Sequence, residues 1–345
     1  MDRHRALAVV SALAIALSAE SSTSEPLDTR DSYLTITDDP KHERLMITLG
    51  PIDLPARTPH RELVQIPVQF GRVPFDLTIH GYWVQAVDRD GEPVPQSVIH
   101  HFNLLDPRGR ELFLPIMQRV LAASHETQPQ HLPGWLFGIP MRGDHSFVAL
   151  TMLHNPTDAD YEGVSVSLVI EYERSRVFPL LRAHSFHMDV MFPLGSKAFD
   201  LPPGRTVKSW EGSPAIQGEI VGMGGHLHRY ASRLLMQDLT TGDTIYDEKP
   251  VLAQDGAIAE VPVRRFYDLD FGYDLYPDRR YRVTAEYLNP TRDTIRDGGM
   301  GSVAGLFLPN EPWPGADTAN YVYRADYRNV LSSVGHAHAS VDGGR

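Results

Sequence analysis

A chain of 345 residues with 42% hydrophobic and 22% charged positions has the length of about two domains and an apolar share that rules out wholesale disorder. With 32 basic against 44 acidic residues the net charge is −12, which argues against a nucleic-acid surface. It holds no cysteine, so disulfide scaffolds, cysteine–zinc sites, iron–sulfur clusters and thiol catalysis are excluded, and any metal must sit on its 16 His, 10 Met or its carboxylates.

The chain opens as an export signal. Arg3 and Arg5 form a basic start, Ala6–Ala19 is an apolar stretch of 14 residues, and small residues at Ala14, Ala16, Ser18 and Ala19 offer cleavage contexts. Residues 1–19 are therefore read as a signal peptide, too short for a comfortable membrane span, and an exported, periplasmic or extracellular protein is expected. No later stretch is apolar and long enough to span, so no integral membrane segment is expected after signal removal. Residues 20–30, rich in Ser, Thr and acids, read as a flexible lead-in.

Beyond them the pattern is one of strands. Val164, Val166, Leu168, Ile170 and Tyr172 share one parity, and so do Tyr281, Val283, Ala285 and Tyr287, the spacing of strands with one buried face. Similar runs lie at 63–70, 75–87, 97–105, 147–154, 233–239 and 302–308, with turn signals at Asp90-Gly91, Asn155-Pro156, Thr241-Gly242-Asp243 and Asn289-Pro290. Only Pro115–Ala123 reads as a short helix. The fold class expected is all-β: two consecutive antiparallel β-sandwich, jelly-roll-like domains with a short helix in the first. Pro and Gly punctuation around Met191–Pro203 sets the boundary, giving domains over 31–195 and 196–312 and a polar tail over 313–345.

Histidines supply the candidate chemistry. His100 and His101 are adjacent in an apolar strand, where neighbours point to opposite faces unless a bulge or strand end intervenes. His154 ends a strand on the parity of Val148, Leu150 and Met152. His226 and His228 form a His-x-His pair after a glycine-rich run, and two positions two apart in a strand share a face. Met300 stands between Gly299 and Gly301, an unusual setting for a gap-filling core methionine, and its thioether is a soft ligand suited to Cu(I). Each also has an ordinary reading, as a core or surface side chain. His336 and His338 in the tail could chelate metal incidentally, and His184 and His187 lie just before the boundary.

Taken in order, His-His, lone His, His-x-His and Met resemble the ligand series of the copper type II, ascorbate-dependent monooxygenases, which include the peptidylglycine alpha-hydroxylating and dopamine beta-hydroxylating enzymes. The steps are 53 residues from His101 to His154, 72 from His154 to His226 and 72 from His228 to Met300. The resemblance covers roughly residues 65–310. It implies two separate copper sites facing a cleft: His100, His101 and His154 delivering electrons, and His226, His228 and Met300 binding oxygen as the catalytic group. It further implies two copper ions cycling between Cu(I) and Cu(II), ascorbate or another reductant, O2, and a small-molecule or peptide-like substrate that is hydroxylated. Gly224 and Ala304 stand where the peptide-amidating branch has an Arg and a Tyr, and the cysteines of animal members are missing, so a different substrate pocket is implied. Two other readings fit the same residues: an exported copper-binding protein without turnover, and a structural or glycan-binding double β-sandwich. A zinc hydrolase on His226 and His228 would leave Met300 without a role.

Overall fold

The computed structural model describes residues 33–332, except 59–61, 175–178, 255 and 267–271. The expected signal peptide, the lead-in, His336 and His338 lie outside the described residues. No helix among the described residues is long and apolar enough to cross a membrane.

The chain folds almost wholly as antiparallel β-structure, in two sandwiches. The first uses β1 (Leu34–Asp39), β2 (Arg44–Leu54), β3 (Leu77–Val87), β4 (Ile99–Arg110), β5 (Met117–Ala123), β6 (Phe137–Met141), β7 (Ser146–Leu153) and β8 (Tyr161–Glu173). One of its sheets runs β1-β2-β8-β3-β6; the other runs β7-β4-β5, with two short strands added outside β7. The parity read for β8 is the buried one: Val164, Val166, Leu168, Ile170 and Tyr172 are all at most 1% exposed. They pack with Leu45, Ile47 and Leu49 of β2 against Phe102, Leu104, Phe147 and Ala149 of the facing sheet.

The second sandwich uses β9 (His184–Asp189), β10 (Gly204–Gly212), β11 (Gly218–Leu227), β12 (Ala231–Asp238), β13 (Thr244–Glu248), β14 (Tyr281–Asn289), β15 (Ile295–Gly299) and β16 (Gly301–Pro309). Its main sheets are β9-β16-β11 and β10-β14-β12-β13. Phe186, Ile220, Met223 and Phe307 from one sheet meet Leu234, Met236, Val283 and Tyr287 from the other.

Three features differ from the expectation. Residues 117–123 form a strand, not a helix, paired with β4 from Phe102↔Ala123 onward. A short apolar run carries no period that separates helix from buried strand, and here the free edge of β4 takes it. Strand β9, placed by the boundary at 195 in the first domain, is hydrogen-bonded to β16 of the second along His184↔Phe307 to Asp189↔Ser302. Finally, the tail holds the α-helix, α1 (Tyr321–Ser332). Asn320 Oδ1 accepts the Val322 N–H at 2.9 Å at its start, a capping contact, and Tyr323 is buried against Val68, Leu105, Met117 and Val148.

The sandwiches are joined through a buried ionic network. Arg119 of β5 donates from Nη1 and Nη2 to Asp189 of β9 at 3.2 and 3.1 Å, and its Nε donates to Glu111 at 3.2 Å. Glu111 also accepts the His187 N–H at 3.1 Å, and Lys197 pairs with Asp189 at 2.9 Å. Ser185 of β9 donates to the Arg119 and Val120 carbonyls at 2.8 and 2.6 Å.

Candidate metal centre

His100 and His101 reach one site because β4 bulges there. Along β7 the pairing runs Thr151↔Phe102, Met152↔His101 and then Leu153↔Ile99, so His100 is the extra residue and the alternation of faces is interrupted. Their ring centres lie 4.1 Å apart. Thr151 Oγ1 donates to the His101 carbonyl at 2.8 Å and anchors the bulge from the neighbouring strand. His154 follows the end of β7, its N–H held by the Val98 carbonyl at 3.0 Å, and its ring lies 5.9 Å from that of His100.

The His-x-His pair comes from the second sandwich. His226 pairs with Ser302 near the end of β11, and His228 lies one residue past the strand, with ring centres 5.1 Å apart on the shared side. Gly225, just before the pair, lets β11 lie close to its neighbours. A Cβ there would lie 2.2 Å from Leu234 Cδ2 and 2.5 Å from the Ser302 carbonyl oxygen.

These groups gather into one cluster rather than two. The ring of His228 is 5.4 Å from that of His100, and the ring of His226 is 4.8 Å from that of His101. One donor atom each from His100, His101 and His228 lie within 4.8 Å of one another. Three nitrogens ~2.0–2.1 Å from a common ion would sit on the order of 3.4 Å apart, so binding one ion requires the trio to draw together by a little over an ångström. His100 and His228 are 5% and 7% exposed, which keeps water from crowding the donors. Burial, followed by the neighbouring rings of His226, His100 and His228 and by Lys197, holds His101 well below the usual imidazole value. It therefore presents a neutral ring at pH 7, the form that ligates a metal.

Glu126, which sequence reasoning passed over, completes the surroundings. Its carboxylate bonds His226 Nδ1 directly, with His125 Nδ1 3.2 Å from its other oxygen. Burial alone would push the Glu126 carboxyl up, yet the charge and hydrogen bond of His226, with His125, outweigh it and hold the group at about 2. His226 Nε2, on the opposite side of that ring, is buried without a hydrogen-bond partner among the described residues. A carboxylate on one imidazole nitrogen and an unpartnered nitrogen facing a histidine cluster is the arrangement that orients metal-binding histidines. The only sequence signal for Glu126 was its adjacency to His125.

Met300 and His228 meet at one hydroxyl group. The Tyr287 hydroxyl accepts the N–H of His228 and that of Met300, both at 3.1 Å, and bonds the Met300 carbonyl in turn. The methionine is thus tied to the His228 backbone through its own backbone. His184 stacks on Trp313 at 4.5 Å, and His187 lies 3.3 Å from Glu111, so both have structural partners away from the cluster.

Comparison with known proteins adds likenesses of fold only. No family model and no curated protein matches the chain. Among solved structures it is similar to the major capsid protein P2 from bacteriophage PM2, at 11% identity over 77% of this chain and 100% of that one, with a TM-score of 0.32. A chain of Sulfolobus Turreted Icosahedral Virus matches at 9% identity over 79% of this chain and 62% of that one, with a TM-score of 0.18. The mavirus major capsid protein matches at 10% identity over 89% and 93%, with a TM-score of 0.20. None of these comparisons supports the expected membership of the copper monooxygenase family, and that expectation, with the oxidoreductase activity, is corrected. Geometry supplies the physical reason, because imidazoles assigned to two sites across a solvent-filled cleft stand in one cluster with rings about 5 Å apart.

Proposed function

We propose that this protein is an exported, non-catalytic metal-binding double β-sandwich, holding one late first-row transition ion on His100, His101 and His228. The observation that carries the reading is the convergence of three imidazole donors within 4.8 Å, two of them on largely buried side chains. An all-nitrogen set takes Cu(II) ahead of Zn(II) by the general affinity order of divalent ions, so copper is the ion proposed. One ion per chain, rather than two, follows from the merging of the expected sites. The carboxylate of Glu126 orients His226 beside the trio, and Tyr287 fixes the backbone that carries His228.

Metal analysis and titration calorimetry test the proposal on protein purified from the exported fraction. One equivalent of Cu(II) is expected, with nitrogen hyperfine structure in its electron paramagnetic resonance spectrum. Replacing His100, His101 and His228 together by Gln is expected to abolish the site. Equal copper uptake by the native chain and this triple variant would overturn it.

A further inference from the structure

Two of the three proposed donors come from one sandwich and the third from the other. His100 and His101 sit on the bulge of β4 in the first, whereas His228 follows β11 in the second. Neither half by itself offers the trio. The second contact across the same seam has the same division, since Glu126 follows β5 of the first sandwich and holds His226 of the second. His226 Nε2 is buried without a hydrogen-bond partner among the described residues, so this part of the seam holds a polar atom that its protein neighbours do not satisfy. Elsewhere the halves are joined without help from any ion, by the pairing of Arg119 with Asp189 and by the His187 N–H donating to Glu111. The seam therefore has a permanent charged fastening at one place and a donor cluster at another.

We infer that the bound ion acts as a clasp between the two sandwiches, so that metal occupancy sets how firmly one half is held against the other. The inference rests on the metal-binding reading above. An ion with donors from both halves can bind only while they are apposed, and by linkage its binding must favour the apposed state. A site built from one half alone would leave their relative freedom unchanged.

The absence of native cysteines permits a direct test on the full chain, with spin labels at Asp90→Cys in the first sandwich and Asp278→Cys in the second, both exposed positions. Diamagnetic Zn(II) is the probe ion, and pulsed electron–electron resonance reads the distance distribution between labels. Zn(II) is expected to narrow that distribution and to raise the melting temperature by roughly 5 °C at about a hundredfold excess over the dissociation constant. His228→Gln is expected to weaken Zn(II) binding at least tenfold and to remove the narrowing. His101→Gln, on the opposite side of the seam, is expected to do the same, which covers the case in which one variant fails to fold. If the distribution keeps its width with the ion bound, the clasp is overturned while the metal site stands; if His228→Gln binds Zn(II) as tightly as the native chain, the trio and the clasp fall together. If the native chain binds neither Zn(II) nor Cu(II), both readings fall.

Discussion

Gly225, the residue before His226, leaves no room for a side chain. Leu234 Cδ2 could swing away from an added Cβ, but the Ser302 carbonyl oxygen at 2.5 Å belongs to the strand that β11 pairs with and cannot. Gly225→Ala is expected to cost about 2–3 kcal/mol in chemical denaturation, with the loss coming from overpacking. Glu126 is informative in the opposite sense, since changing its charge should leave the fold intact. Glu126→Gln keeps the size of the side chain and removes the carboxylate from His226 Nδ1. Copper affinity measured by calorimetry should fall by about 10–100-fold, with an unchanged far-UV circular dichroism spectrum. The five histidines were legible as candidates from their spacing alone. Glu126 was not, because its importance comes from a ring a hundred positions further along the chain.

The elements divide between those with a period and those without one. In β8 and β14 alternation predicted the buried face, and Tyr281, Val283, Ala285 and Tyr287 are fully buried. Residues 117–123 gave no such guidance: Met117, Gln118, Val120, Leu121 and Ala123 are all buried, on both parities, because the strand is covered on both sides. The tail misled for a related reason. Its helix buries only Val322 and Tyr323, too narrow a stripe to mark an amphipathic helix. Tyr323 carries the docking, with its hydroxyl donating to the Pro107 carbonyl at 2.7 Å and its ring 2% exposed. Tyr323→Ala is expected to cost about 3–5 kcal/mol, and Tyr323→Phe about 1 kcal/mol for the lost hydrogen bond, both read from urea denaturation.

For the whole molecule, the consequential charges are those inside the seam. Burial holds His184 down at about 4, and burial with Arg119 beside it also lowers His187. The unfolded chain takes up these protons near pH 6.5 and the folded chain does not, so stability should fall as pH drops from about 6.5 toward 4. Glu111 and Asp189 are raised by burial but lowered further by partners: His187 and then Arg119 act on Glu111, and Arg119 and Lys197 act on Asp189. Their contribution is complete above the unfolded carboxylate range near pH 4 and is lost below it, extending the same acid limb. Melting temperatures measured from pH 7.5 to 3.5 should therefore decline steadily, beginning well above pH 5. Arg119→Met would leave two buried carboxylates short of their main partner. It is expected to cost about 3–5 kcal/mol at pH 7 and less at pH 4, where they can take up protons.

By itself the sequence determined that the chain is a double β-sandwich with an acidic surface, no thiol chemistry and a set of histidines in suggestive places. Those properties follow from composition and from short-range periodicity, which neighbouring residues carry among themselves. Contacts between distant segments settled that His100 and His101 of one half stand beside His226 and His228 of the other, that Met300 and His228 share the Tyr287 hydroxyl, and that strand 184–189 belongs to the second sandwich. Each of these depends on a pairing register or a bulge between segments far apart in the chain, and the spacing of residues along one strand does not encode which edge of another it will meet.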